Sequence, residues 1–277
     1  MRKIDLHCHS TASDGLYTPY QLVEAATKAK VSVLSLTDHD TMVNVNQMAQ
    51  LCKEASIQFI PGIELSCWNG LESIHILGYF KDDAHHKIEL QQTLKSFQER
   101  RRKRAHLICQ RLKEYHQIEI NLNDFDLRDG ASIGRANLAK MIGDKYNLSK
   151  DEIFAHYLGD HSRAFIPSSD MDPKEGIRLL NRAGALAILA HPGELRKTSF
   201  SQIFSLDFDG AECYYPNHTP QRTQEFVKAC LAKKRFITCG SDDHGIANDQ
   251  KHGKLGTTSF SQEHLEPFLA YMGVTTP

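Results

Sequence analysis

Histidines and carboxylates recur in this chain at the ends of short apolar runs, which is where metal-ligating groups would be placed. Asp5-Leu6-His7-Cys8-His9 sets two imidazoles two residues apart, so on an extended segment both rings project to the same face. Asp14 follows in the turn Ser13-Asp14-Gly15. The run Val33-Leu34-Ser35-Leu36-Thr37 leads into Asp38-His39-Asp40, a third run ends at Gly62-Ile63-Glu64, and a fourth carries His75. Later, Ala187-Ile188-Leu189-Ala190 delivers His191-Pro192-Gly193, and Ile237-Thr238-Cys239-Gly240 delivers Ser241-Asp242-Asp243-His244.

Taken singly these residues mean little. A histidine at a strand end is commonly a hydrogen-bonded structural group, an Asp in a Ser-Asp-Gly turn is ordinary turn chemistry, and a lone Glu is commonly a surface charge. Together they form a set of six imidazoles (His7, His9, His39, His75, His191, His244) and three carboxylates (Asp14, Glu64, Asp242). A catalytic metal takes about three protein ligands and keeps a position open, so nine ligands, one of them bridging, suit two to three divalent ions. Imidazole and carboxylate without thiolate point to Mn, Fe or Zn.

The elements that must position these groups can be read from periodicity. Strands are predicted at residues 3–8, 31–37, 57–63, 73–80, 185–190, 208–214 and 235–240, and helices at 19–30, 41–55, 173–184 and 220–234. The last two helices begin with Pro173 and Pro220, where a missing N–H costs nothing. Repeated βα units argue for a parallel sheet or barrel, and the C-terminal ends of barrel strands are where such folds assemble active sites. From residue 83 to 164 the pattern changes: 85–115 reads as one long polar helix, and 122–157 as shorter helices without a strand. The prediction is an α/β fold, a distorted seven-stranded (β/α) barrel built from 1–84 and 165–277, with a helical insertion domain at 85–164. About 200 residues remain for the barrel, lean for eight strands, which usually take about 250.

Composition bounds the class. The 277 residues carry 33 Lys+Arg against 34 Asp+Glu, a net charge of −1, with 40% apolar residues, which excludes a disordered or fibrous chain. Histidine is in surplus, at 15 against 6 Met and 1 Trp. No apolar run approaches the roughly 18 residues that span a bilayer, and the N-terminus lacks the apolar centre of a signal peptide, so a cytoplasmic location without membrane contact is expected. Seven scattered Cys without a C-x-x-C pair predict neither a disulfide framework nor a zinc–thiolate site.

The motifs as a whole resemble a known family. Asp5-Leu6-His7-x-His9-Ser10-x-x-Ser13-Asp14-Gly15, Thr37-Asp38-His39-Asp40, Pro61-Gly62-Ile63-Glu64, His75-Ile76-Leu77-Gly78-Tyr79, Ala190-His191-Pro192-Gly193 and Gly240-Ser241-Asp242-Asp243-His244 resemble, in order, the PHP (polymerase and histidinol phosphatase) family of metal-dependent phosphoesterases. The resemblance implies a barrel with a trinuclear centre. It would place one metal on His7, His9, Glu64 and Asp242, a second on bridging Glu64 with His75 and His191, and a third on Asp14, His39 and His244. The insertion, with Ser132-Ile133-Gly134-Arg135, is similar to the subgroup that includes ribonuclease AM type enzymes. The resemblance thus implies removal of the 3′-phosphate of 3′,5′-bisphosphonucleotides, or 5′–3′ trimming of short 5′-phosphorylated RNA. Where that subgroup carries Pro-His after Gly-Arg, this chain has Ala136-Asn137.

Phosphate ester hydrolysis needs a nucleophile at neutral pH and neutralisation of phosphoryl charge, and paired metals supply both through an activated hydroxide and Lewis-acid polarisation. His218, after the strand at 208–214, is a candidate acid or phosphate contact. Arg135, from the resemblance, and Arg196, from its location after His191-Pro192-Gly193, are candidate phosphate donors. The run Arg100-Arg101-Arg102-Lys103-Arg104 reads either as a solvated helix face or as electrostatic guidance of an anionic substrate. A pI of 6.9 favours a small phosphorylated molecule or short oligonucleotide over a stable nucleic-acid partner. Competing readings are a histidinol-phosphate phosphatase, an amidohydrolase, against which Glu64 stands where a bridging Lys is expected, and a non-catalytic metal- or nucleic-acid-binding module. His85, His86, His106, His116, His156, His161, His252 and His264 read as surface or packing residues.

Overall fold

The computed structural model describes residues 2–124 and 130–274; residues 125–129, inside the predicted helical stretch 122–157, lie outside them. The strands are β1 (Lys3–Asp5), β2 (Val31–Leu36), β3 (Gln58–Trp68), β4 (Ser73–Phe80), β5 (Ala185–Leu189), β6 (Gly210–Tyr214) and β7 (Phe236–Cys239). They lie in one sheet in chain order. The helices are α1 (Pro19–Ala29), α2 (Val45–Glu54), α3 (Ile88–His116), α4 (Arg135–Tyr146), α5 (Lys150–Ile153), α6 (Pro173–Ala183), α7 (Phe200–Ile203), α8 (Pro220–Ala232) and α9 (Gln262–Tyr271).

Local chemistry sets the helix starts. The Thr18 side chain caps α1 in a reciprocal box with Gln21, Asp172 accepts from Lys174 N ahead of α6, and Thr219 accepts from Arg222 N ahead of α8. Each satisfies an N–H that the helix leaves orphaned, and each is followed by Pro at the first helical position. The predicted strands and these helices are found with small shifts at their ends, whereas α9 has no counterpart in the sequence reading.

The sheet departs from an uninterrupted parallel barrel at β4, which runs antiparallel to both β3 and β5. The reason is chain length: Trp68 pairs with Ser73, and the short link between them cannot hold a crossover helix, only a hairpin. Asn69 shapes that link by accepting from Leu71 N and Glu72 N at 2.9 Å each. With β4 inverted, its N-terminal end meets the same rim as the C-terminal ends of the parallel strands. That explains why His75 lies early in its strand and the other ligand candidates lie late in theirs.

The two ends of the sheet meet. Leu6 N donates to Cys239 O at 3.2 Å, Asp242 N to His7 O at 2.7 Å and His9 N to Asp243 O at 2.9 Å, with a parallel bridge between Cys8 and Asp243. Asp5 stitches this seam from inside, its carboxylate accepting from Ser241 N at 2.9 Å and Gly256 N at 2.8 Å.

The main apolar core fills the barrel and its α6–α9 side, and a second cluster joins α1 and α2 to the sheet. A third joins α3 to α4 and α5 through Ala105, Ile108, Leu112, Leu138, Ile142 and Ile153. The basic run on α3 is not a uniformly solvated face: Arg101 and Arg104 are buried, at 5% and 7% exposure. They occupy the helix stripe between Phe97 and Ile108 that faces the protein, and each needs interior partners. Arg101 pairs with Asp40, and Arg104 Nε donates to Ile166 O at 2.9 Å. All seven cysteines are free thiols, and no described helix is long and apolar enough to cross a membrane.

Candidate metal centre

All nine predicted ligands converge at the rim where the strands end. Glu64 is the hub. Its Oε1 lies 2.9 Å from His75 Nδ1 and 3.0 Å from His191 Nε2; its Oε2 lies 3.1 Å from His39 Nδ1, 3.2 Å from His9 Nε2 and 3.3 Å from His7 Nε2. Asp242 Oδ1 stands 3.0 Å from His9 Nε2 and 3.4 Å from His7 Nε2. Asp14 completes the arc, 3.4 Å from His244 Nε2 and 3.9 Å from His39 Nε2. His7, His9, Glu64 and Asp242 form one buried group of candidate ligands, and His9 with Asp14 and His39, and His39 with Glu64 and His75, form adjoining ones.

Backbone conformation aims several of these groups. His191 (φ 23°) and Asp242 (φ 57°) hold left-handed conformations, costly for non-glycine residues and characteristic of functional sites. At Gly240 a Cβ would stand 2.2 Å from His7 Cβ, so only glycine lets β7 approach the first ligand strand this closely.

The electrostatics describe a site built around positive charge. Burial alone would raise Glu64, but His39, His75 and His7 outweigh it and hold the carboxyl well below its usual range. Asp242 and Asp14 are likewise driven down against burial, chiefly by His7 and His244 respectively. His9 is pushed up to about 10, because the close Asp242 and Glu64 carboxylates outweigh burial. His39 goes the other way, to about 3, because its burial dominates. Three buried polar atoms lack a hydrogen-bond partner within this set: Asp14 Oδ1, His39 Nδ1 and Asp242 Oδ1. Orphaned buried acceptors are expensive, and cations among imidazoles and carboxylates would satisfy all three. The donor set therefore fits divalent metal.

The sequence reading missed the groups that hold these ligands. Glu212, fully buried on β6, accepts from His7 Nδ1 at 3.0 Å and from His191 N at 2.8 Å, leaving His7 Nε2 turned to the centre. Carboxylates behind ligating histidines fix tautomer and ring orientation. The available signal was a Glu inside the apolar strand Gly210–Tyr214. Asp38 accepts from Ser10 N at 2.7 Å and Ser13 Oγ at 2.5 Å, shaping the loop that carries Asp14. Tyr215 OH donates to Asp242 Oδ2 at 3.0 Å.

The substrate-contact candidates fare differently. His218 donates from Nδ1 to Cys213 O at 3.0 Å and accepts Gly193 N–H at Nε2, also 3.0 Å. Both ring nitrogens are thus used in tying the His191 loop to the end of β6, and neither is offered to a substrate. Arg196 is exposed, its loop anchored by a backbone N–H to Glu72 at 2.7 Å. Arg135 opens α4, pairs with Asp160 at 2.7 Å and lies over the Phe165 ring at 5.0 Å. Its segment is fastened to the Asp14 loop by Ser132 N to Ala12 O at 2.7 Å and Asn137 Nδ2 to Ser13 O at 2.9 Å. His252, read as a surface or packing residue, packs on His244 with ring centroids 4.3 Å apart and lies close enough to Asp242 and His244 to form a further candidate ligand group. A tail loop folded back over the rim is invisible to strand-end patterning.

With the geometry in place, comparison with known proteins is informative. The PHP domain model matches residues 5–167. A 5′-3′ exoribonuclease from Haemophilus influenzae is 37% identical over 251 residues, covering 88% of this chain and 90% of that protein. A 3′,5′-nucleoside bisphosphate phosphatase from Chromobacterium violaceum is 27% identical over 264 residues, covering 88% of both. In structure, a Bifidobacterium adolescentis protein designated a metal-dependent phosphoesterase superposes with a TM-score of 0.85 at 22% identity, covering 97% of this chain and 96% of that one.

Proposed function

This chain belongs to the PHP domain family, and from that premise we propose that it is a metal-dependent phosphoesterase acting on nucleotide phosphate. Its reaction would be 3′-dephosphorylation of 3′,5′-bisphosphonucleotides, 5′–3′ exonucleolytic cleavage of short 5′-phosphorylated RNA, or both. The observation that carries this reading is Glu64, whose two oxygens are shared among five imidazoles within 3.3 Å. The names of the two sequence relatives support the substrate class.

We assign two to three divalent ions (Mn, Fe or Zn) to the nine residues. His7, His9, Glu64 and Asp242 would hold one, Glu64 with His75 and His191 a second, and Asp14, His39 and His244 a third. When bound, such ions polarise the phosphoryl oxygens and lower the pKa of a bound water toward neutrality. The residues of this chain do the rest. Glu212 locks His7 and the His191 backbone, Asp38 holds the Asp14 loop, and Tyr215 orients Asp242. Arg135 is assigned to substrate phosphate, because its segment is fastened to the Asp14 loop and its guanidinium is placed over the Phe165 ring. We assign no acid role to His218 and no phosphate contact to Arg196.

The barrel (1–84 and 165–277) carries the chemistry, and the helical insertion (85–164), supported by its own apolar cluster, contributes Arg135 to the mouth. Nearly balanced charge fits a small phosphorylated molecule or short oligonucleotide rather than a long polyanion. The test is a substrate panel with Mn-loaded protein. Release of phosphate from adenosine 3′,5′-bisphosphate, or stepwise shortening of 5′-phosphorylated RNA, is expected. Activity confined to histidinol phosphate or to amides would overturn the assignment.

A further inference from the structure

The loop that follows β7 turns back over the metal rim and presents His252 to it. Its path is fixed by backbone donors: Gly253 N to Ser241 O at 2.8 Å, Leu255 N to Asp243 Oδ2 at 2.9 Å and Gly256 N to Asp5 Oδ2 at 2.8 Å. Gly253 is needed for this approach, since a Cβ there would lie 2.5 Å from Pro216 Cγ and 3.1 Å from Ser241 O. His252 itself is enclosed, with 6% of its side chain exposed.

Its ring has the arrangement of a ligating imidazole. Nδ1 donates to Asp249 Oδ2 at 2.8 Å, which fixes the tautomer and leaves the Nε2 lone pair facing the rim. Nε2 stands 3.8 Å from Asp242 Oδ2, too far for a hydrogen bond. Two atoms that share one ion at about 2.1 Å each are separated by roughly 3–4 Å, the spacing seen here. A carboxylate behind an imidazole that faces a second carboxylate is the pattern of a metal-ligating histidine with its orienting partner, and Glu212 behind His7, which also faces Asp242, repeats it. Tyr215 OH, 3.0 Å from the same Asp242 Oδ2, fixes the direction of that oxygen.

The geometry points to His252 as a tenth metal ligand, with Asp249 as its positioning residue, at a cation position shared with Asp242 Oδ2. This inference rests on the metal-centre reading proposed above. At this position Asp242 presents Oδ1 to His7 and His9 and Oδ2 to His252, so one carboxylate joins the inner cluster to an outer position supplied by the tail loop.

Full-length protein stripped by chelation and titrated with Mn²⁺ in a calorimeter, followed by elemental analysis after desalting, tests the inference. We expect His252→Ala to weaken one binding step at least tenfold and to retain about one ion fewer, with the remaining steps unchanged. Asp249→Asn, which keeps the imidazole, weakens the same step by about tenfold, within the range for loss of an orienting partner. This second variant serves where His252→Ala disturbs the stacking on His244. Isotherms identical to wild type for both variants overturn the tenth ligand while Glu64→Ala still loses metal. If Glu64→Ala also matches wild type, the metal centre itself is overturned.

Discussion

His7 donates from Nδ1 to Glu212 Oε1 at 3.0 Å, while the second oxygen of the same carboxylate accepts the backbone N–H of His191 at 2.8 Å. One buried side chain thereby sets the aim of two ligands assigned to different metals. Glu212→Gln should lower metal affinity by about 10–100-fold and should affect two binding steps rather than one. Calorimetric titration of chelated protein measures this, and an effect on neither step would remove Glu212 from the centre.

Glu64→Ala should abolish turnover and cost more bound metal than loss of a terminal ligand such as His75. Elemental analysis of the two variants side by side provides the check. Equal metal content in both would sink the bridging role.

Arg135→Ala should lower kcat/KM on a bisphosphonucleotide by about 10–100-fold, the scale of one lost charge-assisted hydrogen bond. Metal content should stay at the wild-type level. Unchanged steady-state kinetics would take Arg135 out of the substrate site.

Arg101 and Asp40 form a pair buried on both sides, with exposures of 5% and 2%. Removing one partner strands a charge, so Arg101→Ala or Asp40→Ala should destabilise by about 3–5 kcal/mol. Urea denaturation would show it as a shifted midpoint. A double variant no worse than either single one is expected from the coupling.

The pH dependence of the metal-free protein follows from the ion pairs. His9, lifted to about 10 by Asp242 and Glu64 against its burial, titrates near 6.5 when unfolded. Its stabilising protonation is complete below pH 6.5 and is lost as pH rises through 10. Asp14, Glu64 and Asp242, held down, contribute above their unfolded values of about 4 and lose that contribution as pH falls. His39, held down to about 3 by its burial, works the opposite way and costs stability as pH falls below about 6.5, so chelated protein should be most stable at about pH 6–7 and lose several degrees of Tm toward pH 10. Metal-loaded protein should not show the alkaline loss, since the ion replaces the proton. Thermal melts across that range, with and without Mn²⁺, decide it.

The strands and the nine ligand candidates were legible because most of the ligands lie at or near one end of an apolar run, a one-dimensional pattern, with Asp14 in the turn just beyond one. The inversion of β4 was less legible, although the short link at Asn69-Gly70 carried the signal. Arg101 and Arg104 were obscured by their company: in a run of five basic residues, helical phase decides which two turn inward, and the apolar stripe marking that phase is sparse. Glu212 left only the faint mark of a Glu inside an apolar strand, and the roles of Asp249 and His252 were not legible. Their meaning lies in contacts across the barrel or through a loop return, which spacing along the chain does not encode.

The seam between β1 and β7 gives the centre a second consequence. Asp5 and Ser241, bonded across it, are 236 residues apart, and the first proposed metal group draws His7 and His9 from one side and Asp242 from the other. A bound ion there would act as a reversible crosslink between the first and last strands, removing loop entropy from the unfolded chain much as a long-range disulfide does. Chelation should then loosen the barrel along this one line, with amide protons of residues 6–9 and 239–243 exchanging faster while the β3–β4 hairpin stays protected.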